Sequence, residues 1–177
     1  MLHNILAAVT TMVPLLALFM QFSMGTGMSE RHHRHHDTYL VSIALTRALL
    51  LVIVFMSLLG LLLSWLCELG VYSANPVVVL AFFCTFVLVT FLLWAAMCRY
   101  RVITYEDYMT ITPFVGPERT IRYENILRME WARPSNAAGY QSVRVFYVGE
   151  KKPVTILGTL DVEQILMRIN RFEVLEN

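Results

Sequence analysis

The chain has 177 residues and a formal net charge of +1; 57% of its residues are hydrophobic, 15% are charged, and the mean hydropathy is +0.58. Soluble globular proteins contain roughly 25% charged and about 45–50% apolar residues, so this composition argues against a freely soluble enzyme or a disordered tail. A net charge so close to zero gives no reason to expect a nucleic acid or another polyanion as a partner.

The charged residues are divided unevenly along the chain. Residues 1–98 contain six charged side chains, whereas residues 99–177 contain twenty-one. We therefore predict two domains, a membrane region over 1–98 and a water-facing domain over 99–177.

Three apolar runs in the membrane region lie at about 5–24, 40–67 and 76–97. Each reaches the length of about 20 residues that a helix needs to cross a bilayer, and none shows the polar stripe of a helix on a soluble core. The runs predict three transmembrane helices. No Lys or Arg precedes the first run and no A-x-A-like site follows it, so we expect a retained helix and not a cleaved signal peptide.

Basic residues between the runs predict the orientation, because Lys and Arg are enriched in short cytoplasmic loops. Arg31 and Arg34 lie in the first loop, the second loop (68–75) has neither Lys nor Arg, and Arg99 and Arg101 follow the third run. We expect a multi-pass protein of the cell (plasma) membrane, with its N-terminus outside and its C-terminal domain in the cytoplasm.

Seven residues are predicted at the membrane–water interfaces, where cationic and amphipathic aromatic side chains are favoured. They are Arg31, Arg34, Arg47, Arg99, Arg101, Trp65 and Trp94. We expect Arg47 to snorkel to the inner headgroups and not to face another helix, because no acidic residue lies at a matching depth in the other runs.

The segment 31–37 holds four of the five histidines, namely His32, His33, His35 and His36. Imidazole is the commonest metal ligand and titrates near neutral pH, so a metal- or pH-responsive membrane sensor is the alternative function. Ordered metal sites, however, space their ligands by helical or turn geometry. We therefore expect a hydrated loop at the headgroups and no metal site.

The pattern changes to short strands after Arg99. Residues 101–105 and 108–112 predict a hairpin around an acidic turn, and further strands are predicted at 118–123, 126–132, 142–148 and 153–157, with a loop at 134–139. Helical spacing of apolar residues then runs from Val162 to Phe172, with Asp161 as the N-cap.

This order of elements, with the segment Ile121-Arg122-Tyr123-Glu124-Asn125-Ile126, resembles the bacterial pleckstrin-homology-like (PH-like) domain and its I-x-Y-x-x-I stretch. The resemblance covers about residues 99–174. It implies an α+β soluble domain, built as a curled antiparallel sheet capped by a C-terminal helix, behind the α-helical membrane region. It also implies a binding or assembly module. Relatives that bind inositol phosphates use basic residues around the first hairpin; here the turn at 105–108 is acidic, so phosphoinositide binding is not expected.

No catalytic motif is recognisable, and residues 99–177 contain no histidine for a Ser-His or Cys-His pair. We therefore expect no enzyme activity and no cofactor. The expected function is that of an integral membrane scaffold, whose PH-like domain at the cytoplasmic face binds an unidentified protein partner or a second copy of the chain. Contact of the domain with the lipid bilayer is a further expected role. A transport role is disfavoured, because Arg47 alone is a candidate for a charge within the bilayer.

Overall fold

Long apolar helices make up most of the first hundred residues of this computed structural model, which describes residues 1–24, 36–132, 141–150 and 152–176. Helices α1 (Leu2–Met24), α2 (Ile43–Glu68) and α3 (Pro76–Arg99) have 23, 26 and 24 residues. Within those described ranges, they are the helices long and apolar enough to cross a membrane. The three predicted apolar helices are confirmed.

The chain divides into two compact units. The first contains α1, α2 and α3 as far as Met97, and the second contains the residues from Cys98 onward. The second unit also takes in the segment that ends at Ile43, the first residue of α2. It therefore includes residues that a division at 98/99 places in the membrane region.

The buried residues of α2 and α3 recur every three or four positions, which is the spacing of a helix–helix seam. They are Thr46, Leu50, Ile53, Ser57, Gly60 and Ser64 on α2, and Leu80, Phe83, Cys84, Val87, Thr90 and Trp94 on α3. At Gly60 the α2 backbone approaches α3 so closely that an added Cβ would lie 2.5 Å from the Cβ of Phe83. Nε2 of His3 lies 3.2 Å from Oγ of Ser64, which joins α1 to the same seam.

The second unit is built from short strands and one amphipathic helix. Its described strands are β1 (Asp37–Leu40), β2 (Arg101–Thr104), β3 (Tyr108–Thr112), β4 (Arg119–Arg122), β5 (Ile126–Trp131), β6 (Val143–Tyr147), β7 (Val154–Ile156) and β8 (Leu175–Glu176). In this described part they form two four-stranded sheets, in the orders β1-β2-β3-β4 and β7-β6-β5-β8. The predicted hairpin and the later strands are confirmed; the predicted loop at 134–139 lies outside the described residues.

Strand β1 differs from the sequence-based expectation. The sequence predicts a hydrated loop up to Thr38 and an apolar helix from about residue 40, and both predictions are wrong at this point. β1 pairs antiparallel with β2, with Asp37 opposite Thr104 and Leu40 opposite Arg101. The connection between α1 and α2 therefore supplies an outer strand to the sheet that follows α3.

Helix α4 (Val162–Ile169) closes the fold of the second unit, and its apolar face is buried. The Asp161 side chain accepts a hydrogen bond from the Gln164 N–H at 3.1 Å, so the predicted N-cap is confirmed. The helix ends at Asn170, whose left-handed φ of 50° stops it before Phe172. Phe172 is 51% exposed in a 3-10 turn, so its predicted place on the helix is wrong.

Tyr123 links β4 to two other parts of the second unit. Its hydroxyl donates to the Tyr105 carbonyl at 2.9 Å, and its own carbonyl accepts from Arg171 at 2.8 Å. Burial raises the pKa of the Tyr123 phenol well above its ordinary value, and the nearby Arg168 offsets only part of that rise. The folded state therefore favours the neutral phenol.

We predict that Gly60→Ala destabilises the helical unit by about 1–3 kcal/mol, because its Cβ would overlap the Cβ and Cγ of Phe83 at 2.5 and 2.7 Å. Alanine's helix propensity alone would favour the variant by about 1 kcal/mol, so the sign of the change separates the two effects. Unfolding in detergent micelles with increasing dodecyl sulfate measures it. Phe83→Gly, which removes both overlapping atoms, is the control background, in which the same substitution should no longer be harmful. Stabilisation by Gly60→Ala in the wild-type background would contradict the close approach.

We predict that Tyr123→Phe lowers the free energy of unfolding by about 1 kcal/mol at neutral pH, because it removes the hydrogen bond to Tyr105. A phenol whose pKa is raised on folding contributes stability below its unfolded pKa of about 10 and loses it as pH rises through the folded pKa. The decline of stability above about pH 10 should therefore be shallower in the variant. Denaturant titrations at rising pH measure both effects, with the exposed Tyr72→Phe as control. An unchanged alkaline slope would refute this role of Tyr123.

Candidate functional site

The predicted interface residues are distributed over both units. Arg47 and Trp65 are exposed on α2, and Trp65 has 56% of its surface accessible. Arg99 and Arg101 are exposed where α3 ends and β2 begins. Arg31 and Arg34 lie outside the described residues.

Trp94, which the sequence places at an interface, is a buried residue of α3, and its interfacial position stays a prediction. Its side chain is fully buried and packs at a tilt against Phe91, with 5.7 Å between the ring centroids. Position 94 continues the three-and-four spacing of the α3 seam after Val87 and Thr90, which explains the burial. Its indole N–H finds no acceptor in the part of the chain that the structure describes. Trp94 is therefore a packing residue.

Three consecutive residues at the end of α3 contact the turn between β3 and β4 or the residue before it. We call this turn the β3–β4 turn (residues 113–117). The Arg99 guanidinium donates to the Gly116 carbonyl. The Tyr100 ring stacks on Phe114 with centroids 4.7 Å apart, and Nε of Arg101 donates to Oγ1 of Thr112, directly before the turn, at 3.3 Å. The turn is thus held beside the first residues that follow the helix.

A cavity of about 320 Å³ opens behind the β3–β4 turn. It is lined mainly by apolar side chains and prolines, namely Tyr100, Ile111, Pro113, Phe114, Arg119, Pro153, Val154, Thr155 and Leu157. Arg119 forms an ion pair with Glu150 at 2.7 Å. The lining suits an apolar group, such as a hydrocarbon side chain or part of an acyl chain, better than a phosphate.

The Tyr100 hydroxyl forms part of the wall of this cavity. It donates to the Thr155 carbonyl at 3.1 Å and accepts from the Leu157 N–H at 3.2 Å, so it engages backbone groups along β7, an outer strand of its sheet. Burial raises the pKa of Tyr100, and the Leu157 N–H offsets part of the rise. Sequence reasoning did not find this site, because its residues come from four separate segments and no motif joins them.

The opposite end of the β2–β3 hairpin is acidic. A cavity of about 460 Å³ there is lined by Glu106, Asp107, Tyr108, Arg122, Tyr123 and Glu124. The Tyr105 and Tyr108 rings stack with centroids 4.4 Å apart, and the His36 ring lies 5.5 Å from that of Tyr105. Carboxylates at this turn would repel the phosphates of a phosphoinositide. That phosphoinositides do not bind here stays a prediction.

The histidine segment is described only in part. His36 directly precedes β1, whereas His32, His33 and His35 lie outside the described residues. Among the residues that are described, no three His, Cys, Asp or Glu side chains gather closely enough to hold a metal ion. The sensor alternative remains a hypothesis from the sequence.

An exposed apolar pair lies where β5 and β6 meet. Leu127 is 63% exposed and Val148 is 59% exposed, and the Val148 N–H donates to the Asn125 carbonyl at 3.0 Å. The Arg128 guanidinium lies over the Phe146 ring, 4.4 Å from its centroid, on the same pair of strands. A shift in register between Ile126 and Arg128 sets Leu127 outward, and this bulge has no signature in the sequence.

No protein-family model matches this chain, and no curated protein matches it. Among solved structures, the chain is similar to a DUF1696 family protein with a pleckstrin-homology domain from Shewanella loihica PV-4. The two are 17% identical, with a TM-score of 0.34, and the match covers 43% of this chain and 72% of that chain.

Proposed function

We propose that this chain is a non-enzymatic integral membrane protein that presents a PH-like domain at the cytoplasmic face of the cell membrane. The domain binds a protein partner or a second copy of the chain. The observation that carries the proposal is the pairing of β1 with β2, which ties the α1–α2 connection to the domain that follows α3.

The pairing is compatible with three membrane crossings. If α1, α2 and α3 each cross the bilayer, the end of α1 and the end of α3 emerge on the same side, and β1 can reach β2 without entering the hydrocarbon. An even number of crossings between the two strands satisfies that condition, and α2 with α3 provides it. The Lys and Arg distribution favours the cytoplasm as that side.

A PH-like domain is supported by the order of elements in the second unit. The β2–β3–β4 meander is followed by β5, β6 and β7, whose neighbours pair antiparallel, and then by α4 with its apolar face buried. β1 is an addition to this order from the membrane region. It gives the domain a second covalent attachment, which favours fixed display at the membrane over a loosely tethered domain.

A protein partner is supported by the apolar pair of Leu127 and Val148. Exposed apolar side chains on a structured strand pair, beside an arginine stacked on an aromatic ring, match the composition of interface hot spots. Arg128 and Phe146 provide that neighbour. We propose this surface as the contact for a partner or for a second copy.

The topology predicts a disulfide. Thr38 and Ile103 are directly opposite in the β1–β2 ladder, where Cα atoms lie about 4.5–5.5 Å apart and a disulfide can form. In a background without Cys67, Cys84 and Cys98, Thr38→Cys with Ile103→Cys should form a disulfide within one chain once a chemical oxidant is added to isolated membranes, because the cytoplasm itself keeps thiols reduced. Mass spectrometry of peptides from native membranes detects the bond.

The matched control pairs Thr38→Cys with Ser73→Cys, in the connection between α2 and α3, which the topology places on the other side of the membrane. The control should stay reduced. A control disulfide, or a free thiol pair at 38 and 103, would rule out the proposed topology.

The partner surface predicts a specific crosslink. A photoreactive residue at Arg144, which is exposed two positions from Phe146 on the same strand, should crosslink a partner or a second copy in native membranes. Leu127→Glu together with Val148→Glu should abolish the adduct, because charge at the contact prevents its desolvation. Met167→Glu, at an exposed position on α4, is the control and should leave the adduct intact. An adduct that survives the double substitution would remove the support for this surface.

A further inference from the structure

The β3–β4 turn holds the most exposed large apolar side chain among the described residues of the second unit. Val115 has 84% of its surface accessible. Gly116, at a φ of +102°, adopts a backbone conformation that other residues rarely take, and prolines at 113 and 117 limit the freedom of the turn. The backbone of the turn is therefore conformationally restricted, and it holds the Val115 side chain exposed.

The neighbours of the turn fix its place along the chain. Arg99 is the last residue of α3 and donates to the Gly116 carbonyl, next to Val115. Tyr100 stacks on Phe114, on the other side of Val115. All these residues belong to the second unit, and they hold the turn within one side-chain length of the residue at which α3 ends.

The end of α3 marks the height of the headgroups if the helix crosses a bilayer. Its 24 residues span about 36 Å at 1.5 Å per residue, against a hydrocarbon thickness of about 30 Å. Arg99 would then lie in the headgroup layer, and the turn that it binds would lie in or next to the same layer. An exposed valine at the height of the headgroups would contact the lipid.

The charges around the turn suit an anionic lipid surface. Arg99 and Arg101 are exposed beside it, Glu118 follows it, and Arg119 is paired with Glu150. Two arginines against one acidic neighbour, Glu118, leave a positive balance, which attracts anionic headgroups. Single exposed apolar side chains are ordinary on protein surfaces; this one differs because a rigid turn holds it at the end of an apolar helix.

We propose that the β3–β4 turn is a membrane-binding turn, which inserts Val115 into the headgroup region of the membrane that α3 crosses. The partner is the phospholipid surface itself. The proposal rests on the proposed function, because it needs α3 to span a bilayer. It adds a third point, besides the links through α3 and β1, at which the domain is held to the membrane.

The test uses the full chain without its three cysteines, reconstituted in phosphatidylcholine vesicles that contain phosphatidylglycerol. A polarity-sensitive fluorophore is attached at Val115→Cys, at Glu106→Cys, or at Leu88→Cys. Residue 106 lies at the opposite end of the β2–β3 hairpin from Thr112, and residue 88 lies midway along α3. Quenching by spin-labelled lipids and by aqueous iodide is then measured for each.

We expect the label at 115 to emit at shorter wavelength than the label at 106, to be quenched by lipids that carry the spin label near the headgroup, and to lose most of its iodide quenching. The label at 106 should behave in the opposite way. The label at 88 could be quenched by lipid while the label at 115 is as accessible to iodide as the label at 106. That result would refute lipid contact by the β3–β4 turn and would still support membrane insertion of α3. If lipid does not quench the label at 88, the membrane anchor itself fails.

Discussion

The antiparallel pairing of β1 with β2 is the constraint on which the architecture depends. It joins two segments that are separated in sequence by α2 and α3. The entropy of closing such a loop grows only slowly with its length, and the ladder of hydrogen bonds from Asp37 to Leu40 can offset it. The domain is consequently built partly from the membrane region, and a chain cut at residue 98 would lack an outer strand of its first sheet.

The helical seam follows from the same need for a fixed arrangement. If these helices lie in lipid, as proposed, apolar surface gains little by leaving one hydrocarbon environment for another, and close contact at small residues would hold the helices together. Gly60 against Phe83 provides that contact, and Ser64 adds polar links to His3 and to the Pro76 carbonyl. Thr90 satisfies its own hydroxyl by donating to the Phe86 carbonyl at 2.8 Å. Polar groups thus point into the seam, and large apolar side chains such as Phe55 are left outside.

The sequence was informative wherever one local pattern decided the structure. Unbroken apolar runs predicted α1, α2 and α3, alternation predicted the hairpin of β2 and β3, and Asp161 predicted the start of α4. It was uninformative where distant segments decide. The four residues of β1 are too short a segment to predict a strand, and their partner strand lies more than sixty positions later in the sequence. Trp94 could be assigned to an interface from its place near the end of a run, but only the three-dimensional seam shows which face of α3 is buried.

The two ends of the β2–β3 hairpin now have distinct chemistry, and this polarity connects the proposals. One end, where Arg101 pairs with Thr112, carries exposed arginines and the apolar turn with Val115. The other end carries Glu106 and Asp107 in an acidic cavity. If the domain lies at an anionic membrane surface, as proposed, the headgroups would repel the acidic end and attract the basic end.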